Sequence, residues 1–334
     1  MHRILTTNCF DGPDESLVLG IHETIRDEAA SLGLDFQYFC LDDLTEAGLI
    51  EACRGYEGLI IGSEPFTRNI VEALAENLKI VIRFGVGFDA VDLNAAADRG
   101  IPVANTPGAN STSVAEHALT LILAALKRIP YYDHLLKSGD WNERVGLEIS
   151  GRSVALLGFG RVARILAGYL VAMGCRVSAY DPYFDHHAAA ELGVEYSTVE
   201  AMLPDADIVS LHLPHNKETD QMVDGGFLEQ MKKGSLLINT ARGALVDDKA
   251  LVAALETGQL GGAGLDTFQD EPIRSDSPLL AFDQVILTPH VAASTKESLL
   301  KTYRMGLRIA SKYFAEGVCE NNLNPEYRKH IGRK

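Results

Sequence analysis

Apolar and polar positions change period again and again along this chain. Over the first hundred residues, short β-branched runs at 3–6, 58–61, 79–83 and 101–104 alternate with stretches of helical spacing at 16–31, 68–76 and 93–98. The first kind fits strands and the second amphipathic helices, and their alternation predicts a parallel sheet covered on both faces. Segment 113–128 interrupts this rhythm: Ser113 and Glu116 stand at capping-box spacing, and the residues after His117 are apolar almost all round. Such a helix must be buried on more than one side, either between domains or between two copies of the chain. From Gly151 the alternation resumes, with apolar runs ending at Gly158, Asp181, Pro214, Thr240, Asp266 and His290 and helical stretches at 162–173, 227–231 and 248–257. A last helical stretch, 295–314, is long enough to carry the chain back to the first sheet. The expected fold is therefore α/β, with two doubly wound parallel sheets: a discontinuous domain of 1–104 plus 291–334 around an inserted domain of 105–290.

Composition narrows the partners. The 334 residues are 46% hydrophobic and carry a formal charge of −16, which repels nucleic acid and acidic lipid surfaces while leaving room for a small anion at a local positive site. No apolar run is long enough to span a membrane, and Met1-His2-Arg3 leads straight into a strand-like run without the apolar core of a signal peptide. The five cysteines (Cys9, Cys40, Cys53, Cys175, Cys319) are scattered and form no CxxC pair, so reduced, buried thiols of a cytoplasmic protein are expected. No cluster has metal-ligand spacing, so no metal is expected.

The segment Gly158-Phe159-Gly160-Arg161-Val162-Ala163 follows the run Val154-Ala155-Leu156-Leu157 and opens a helix, the context in which a G-x-G-x-x-G/A match acquires meaning. Gly158 permits the tight turn, Gly160 lets a pyrophosphate approach the backbone, and Ala163 is small enough for the helix to pack on its strand. The first helical N–H groups, including those of Arg161 and Val162, would face the diphosphate. About 20 residues on, Asp181 ends the next strand-like run, where a carboxylate can accept hydrogen bonds from both adenosine ribose hydroxyls. A 2′-phosphate there would meet like charge, so NAD is expected over NADP. This makes the inserted domain Rossmann-like.

In a doubly wound sheet the ligand lies at the carboxyl ends of the strands. Arg242, Asp266 and His290 follow apolar runs there, and Glu271 comes shortly after Asp266. A guanidinium can clasp a carboxylate in a bidentate grip, which suits Arg242 to orienting a 2-keto or 2-hydroxy acid. His290 can give a proton to a carbonyl or take one from an alcohol, with Glu271 on the other ring nitrogen fixing the tautomer. His212 is read as structural.

With these residues in place, the sequence resembles the D-isomer-specific 2-hydroxyacid dehydrogenases over nearly its whole length. The likeness is carried by 83–89 (RFGVGFD), 105–110 (NTPGAN) with 113–117 (SVAEH), the glycine turn, 239–247 (NTARGALVD), 264–272 (GLDTFQDEP) and Thr288-Pro289-His290. The resemblance implies a flavodoxin-like substrate domain beside the Rossmann domain. It also implies that Arg242 binds the substrate carboxylate and that His290, assisted by Glu271, is the acid–base. It further implies that backbone amides at Val86 and Gly87 hold the carboxylate, that Asp266 meets the nicotinamide carboxamide, and that Thr240, Ala241, Leu213 and Pro214 line the nicotinamide side. Members are typically homodimers through the nucleotide-binding domain, which would place helix 113–128 at the interface. Within the family, the 105–119 stretch is most similar to 3-phosphoglycerate dehydrogenases, whose second phosphate-side Arg matches Arg83. Those enzymes often place another Arg where this chain has Gly62, for which Arg68 could substitute, and hydroxypyruvate or glyoxylate reduction is the rival activity. A different class remains open: a corepressor-like protein that senses NAD(H) on the same fold. The turn-rich loop 8–13, with segments 63–67 and 83–88, is expected to set specificity.

Overall fold

The computed structural model describes residues 1–7, 15–38 and 45–331, of which 15–17 by backbone alone; loop 8–13, Cys9 and Cys40 lie outside the described residues. The chain forms two compact units, Met1–Asn110 with Thr295–Lys334 and Ser111–Ser294. The crossings thus follow Asn110 and Ser294, where the expected bounds have them after 104 and 290. The turn at 107–110 and the loop beyond His290 stay with the sheets they leave.

In the first unit, β1 (His2–Thr6), α1 (Glu15–Ser31), β2 (Leu34–Tyr38), α2 (Glu46–Cys53), β3 (Gly58–Ile61), α3 (Arg68–Leu74), β4 (Ile80–Arg83), α4 (Leu93–Asp98) and β5 (Val103–Asn105) succeed one another. All pairings are parallel and the order is β2-β1-β3-β4-β5, the flavodoxin-like arrangement. Neither β2 nor α2 stands out in the hydrophobic pattern: β2 buries only Leu34 and Phe36 of its five residues. Side-chain caps start the short helices, Thr45 accepting from Gly48 N and Asp92 from Ala95 N.

The second unit runs α5 (Ser111–Lys127), α6 (Ile129–Lys137), β6 (Ser153–Leu157), α7 (Arg161–Ala172), β7 (Arg176–Tyr180), α8 (His186–Leu192), β8 (Glu195–Tyr196), α9 (Val199–Met202), β9 (Ile208–Leu211), α10 (Gly225–Gln230), β10 (Ser235–Asn239), α11 (Asp248–Glu256), β11 (Leu260–Leu265) and β12 (Val285–Leu287). Its sheet, β12-β11-β10-β9-β6-β7-β8, is parallel throughout and reverses direction between β6 and β9. This is the Rossmann order with one further strand. Each face carries its own apolar layer, one around Leu157, Val209, Leu237 and Leu265, the other around Leu121, Leu156, Leu166 and Ile238. Helix α12 (Lys296–Glu316), capped by the Thr295 hydroxyl, belongs to the first unit, where Tyr303, Leu307 and Ala310 cover one face of its sheet.

Helix α5 begins at Ser111, so Ser113 lies within the first turn and not at the cap expected for it. It packs on α7 and on the β10–β12 edge, burying Ala115, Ala118, Leu121, Ile122 and Leu126. The helix is thus part of the second unit, while Leu119, Leu123 and Ala125 on its flank are only half-buried.

Candidate functional site

The site residues sit where the strands of the second unit end. Gly158 follows β6 with φ +97° and its N–H donates to Tyr180 O (2.7 Å), locking the turn against β7. A Cβ at this position would lie 2.7 Å from the backbone of His212, so only glycine lets the turn nest against the end of β9. Gly160, the N-cap of α7, offers no side-chain acceptor, and the space where its Cβ would stand is open. The first N–H groups of α7, at the exposed Arg161 and the half-buried Val162, therefore begin an uncapped helix facing open space. Asp181 follows β7; its carboxylate accepts from Phe159 N and Tyr183 N, each at 2.8 Å, and so ties the glycine turn to the neighbouring strand.

At the end of β9, Leu213 is buried and Pro214 exposed. The ring of His212 pairs through Nε2 with the Ser210 hydroxyl (2.9 Å), and burial pushes its pKa down to about 4, as fits a structural histidine. At the end of β10, Thr240 Oγ1 is buried without a partner. An orphaned hydroxyl is costly unless a ligand completes it. These features fit a dinucleotide: a glycine turn, an uncapped helix start, an acceptor at the next strand and an unsatisfied donor farther along the same edge.

Asn239, itself buried, shapes the next three residues: its side chain accepts from Ala241 N (3.0 Å) and donates to Arg242 O (2.8 Å). Arg242 Nη1 donates to Ala241 O (2.6 Å), and Gly243 follows. His290 lies three residues beyond β12 with φ +52°, its N–H on Thr288 O (2.9 Å). Its Nδ1 meets Glu271 Oε2 at 2.7 Å, while Glu271 Oε1 accepts from Phe268 N (3.0 Å). Burial alone would raise the Glu271 pKa, but the hydrogen bonds of His290 and Phe268 N and the charges of His290 and Arg242 hold it below the usual carboxylate value. Arg242, Glu271 and His290 are thus neighbours on one edge of this sheet.

Asp266 lies at the end of β11. Its side chain is 0% exposed and its carboxylate accepts from the Thr288 hydroxyl (2.6 Å), Val291 N and Ala292 N (2.9 Å each). These bonds anchor the loop that carries His290. Two residues absent from the expected set join it: His117 of α5, whose Nε2 is 2.9 Å from Thr288 Oγ1 and 3.5 Å from Asp266 Oδ1, and Thr288 itself. Their spacing of 171 positions leaves no local signal, although both fall in segments that carry the family likeness.

In the first unit, Arg83 ends β4 and donates through Nη1 to Phe84 O. The exposed Val86 and half-buried Gly87 follow in a loop pinned by β5: Gly85 N donates to the Thr106 hydroxyl (2.7 Å) and Asn105 Nδ2 to Val86 O (2.8 Å). Arg68 is bound to Asp98 (3.0 Å) with Asp92 and Glu72 beside it. Cys53, Cys175 and Cys319 are buried and unpaired, and burial raises the pKa of all three thiols, that of Cys53 to about 12. No helix among the described residues is long and apolar enough to cross a membrane, and among them no group of three His, Cys, Asp or Glu could hold a metal ion.

Fold and site together define a dinucleotide-binding protein with a carboxylate-paired histidine at the strand ends. Residues 119–292 match the D-isomer specific 2-hydroxyacid dehydrogenase family, NAD binding domain. The chain belongs to that family, and its second unit is the NAD-binding domain. It is 40% identical over 254 residues to a D-3-phosphoglycerate dehydrogenase of Archaeoglobus fulgidus, covering 75% of this chain and 48% of that protein. A glyoxylate reductase of Korarchaeum cryptofilum is 37% identical over 257 residues, 75% of this chain and 77% of its own. The apo D-lactate dehydrogenase of Escherichia coli superposes with a TM-score of 0.84 at 28% identity, covering 97% of this chain and 100% of that one. The chain spans about half the length of the D-3-phosphoglycerate dehydrogenases it matches. None of these relatives supports the corepressor-like alternative.

Proposed function

We propose that the chain is an NAD-dependent dehydrogenase that interconverts a D-2-hydroxy acid and its 2-keto acid. The observation that carries this reading is the 2.7 Å pair of His290 Nδ1 and Glu271 Oε2 on the strand edge that also bears Arg242. With Nδ1 held by a carboxylate, Nε2 is left to exchange a proton with the substrate's oxygen at C2. Arg242 grips the carboxylate and polarises the carbonyl. NAD, when bound, takes up or delivers the hydride. Thr240, Ala241, Leu213 and Pro214 would hold its nicotinamide side, the N-terminus of α7 its diphosphate, and Asp181 its adenosine ribose. The test is NADH oxidation by the purified protein against glyoxylate, hydroxypyruvate, pyruvate and 3-phosphohydroxypyruvate; NADH binding without turnover of any of them would sink the reading.

Asp181→Ala is expected to raise the Kd for NADH roughly 10-fold more than that for NADPH. Losing the bonds to Phe159 N and Tyr183 N affects both cofactors through the turn, whereas the ribose contact affects only NADH. Equal losses, measured by fluorescence titration, would remove Asp181 from the ribose site.

We also propose a homodimer through the second unit, and a cytoplasmic setting that suits the scattered, unpaired thiols. Beyond the half-buried flank of α5, the chain exposes Ile129 and Leu136 on α6, then Trp141 at 81% and Val145 at 88%. Apolar side chains this exposed in one stretch call for a cover. A second copy is the occupant that fits, because the patch continues from α5, the helix that the family places at its dimer interface. Trp141→Ala is expected to raise the dimer dissociation constant by roughly 30-fold, as for a buried aromatic anchor. Analytical ultracentrifugation showing a wild-type monomer would end the proposal.

A further inference from the structure

His290 has a backbone conformation uncommon outside glycine, φ +52°, in the left-handed region. Such a conformation persists where the surroundings fix it from both sides. Here both sides converge on Asp266. Thr288, two residues before, donates its hydroxyl hydrogen to Asp266 Oδ1 (2.6 Å), and directly after His290 the N–H groups of Val291 and Ala292 donate to Oδ1 and Oδ2 (2.9 Å each). One side chain from outside the loop closes this clamp: His117 of α5 reaches Thr288 Oγ1.

The direction of each bond follows from the donors at hand. A hydroxyl has one hydrogen, and that of Thr288 goes to a carboxylate, which only accepts. Thr288 Oγ1 must therefore accept from His117 Nε2, 2.9 Å away, which places a proton on that nitrogen. The same N–H lies 3.5 Å from Asp266 Oδ1, so it faces both partners at once. With its oxygen held from one side and its hydrogen committed to the other, the Thr288 hydroxyl has a single setting. Asp266 is fully buried and the His117 side chain only 20% exposed, so solvent is poorly placed to take over the histidine's part.

Resting on the dehydrogenase reading above, we infer that His117 is a positioning residue for proton transfer at His290. Its N–H holds Thr288 against Asp266, and that grip keeps loop 288–292 where His290 Nδ1 meets Glu271 Oε2 at 2.7 Å. His117 acts through Thr288 and Asp266, not on the substrate's oxygen. All five residues belong to the second unit, so the chain of bonds is complete within it. Without the donor, Thr288 can turn and the loop relax, which carries His290 Nε2 off its line of transfer. Misplacement by about 1 Å costs on the order of 10²-fold, and a relaxation passed on through Thr288 is expected to cost about 10-fold.

The experiment measures kcat, KM, the NADH Kd and Tm for wild type, His117→Leu, His117→Gln, Thr288→Val and the double variant His117→Leu with Thr288→Val. The substrate is whichever of hydroxypyruvate and glyoxylate the wild type reduces faster. His117→Leu is expected to lower kcat about 10-fold with the NADH Kd within about twofold of wild type. His117→Gln, whose amide can donate to Thr288, is expected to recover most of that loss. The double variant is expected to be no slower than Thr288→Val alone, because both changes break one chain of bonds. If His117→Leu does not fold, His117→Asn takes its place, its amide being too short to reach Thr288. A lowered Tm with unchanged kcat, a glutamine variant as slow as the leucine one, or losses that multiply in the double variant each overturn the inference. A wild type that turns over no 2-keto acid is instead the failure of the dehydrogenase reading. In that event the same variants are compared by amide hydrogen exchange at Val291 and Ala292, where faster exchange in His117→Leu is expected and unchanged protection overturns the inference.

Discussion

Replacing His290 by alanine is expected to lower turnover of a 2-keto acid roughly 10²–10⁴-fold while leaving the Kd for NADH nearly unchanged. The two effects separate because His290 stands at the end of β12, whereas the glycine turn and Asp181 stand at the ends of β6 and β7, across the sheet. The side chain is 40% exposed and carries no core packing, so its removal leaves the fold in place. Glu271→Gln is the companion: it retains an acceptor for Phe268 N but lowers the charge that holds Nδ1, and is expected to cost less than His290→Ala. The pH dependence has a definite sign. A carboxyl whose folded-state pKa lies below its ordinary value stabilises the fold above that value, and the contribution fades as pH falls through the folded value. The Glu271 contribution is therefore complete at neutral pH and lost only below the ordinary carboxylate value of 4.5, so activity should not fall through loss of the Glu271 charge until pH drops below that value. A full-rate His290→Ala enzyme in stopped-flow assays would remove His290 from the chemistry.

The sequence displays the strands and turns whose signals are local, and hides what depends on side-chain direction or distant contact. Gly158, Gly160 and Asp181 can be placed because tight turn, helix start and strand end all fall within one βαβ unit. His290 is readable because it follows an apolar run at a strand end, and Glu271 because it comes shortly after Asp266 in a segment that carries the family likeness. Strand β8 escapes such a reading, since its two residues are both exposed and leave no apolar period. Helix α5 starts two residues before the expected cap, directly after the turn at 107–110. Asp266 ends its run at a strand end, but its donors come from 288–292, which no window around it contains.

Gly243→Ala is expected to reduce kcat/KM for the keto acid by about 10² or more, although residue 243 has no chemistry of its own. A Cβ at this position would stand 1.9 Å from Phe268 C, 2.0 Å from its O and 2.5 Å from Gln269 N. These are backbone atoms, unable to rotate away as a side-chain tip would. The close approach joins two halves of the site: Gly243 follows Arg242, and Phe268 N holds the Oε1 of Glu271. Inserting a methyl must push the loop after β10 and the loop after β11 apart, carrying Arg242 away from the Glu271–His290 pair. A displacement on the order of 1 Å is enough for the stated loss. The core strands β10 and β11 stay paired through five registered positions, so the overpacking is expected to cost only about 1–3 kcal/mol of stability. The diagnostic pattern is an enzyme that still unfolds cooperatively and binds NADH, with kcat depressed much more than the NADH Kd is raised. Activity within about two-fold of wild type would mean that the two loops separate freely, and that the approach at Gly243 does not hold Arg242 against its partners.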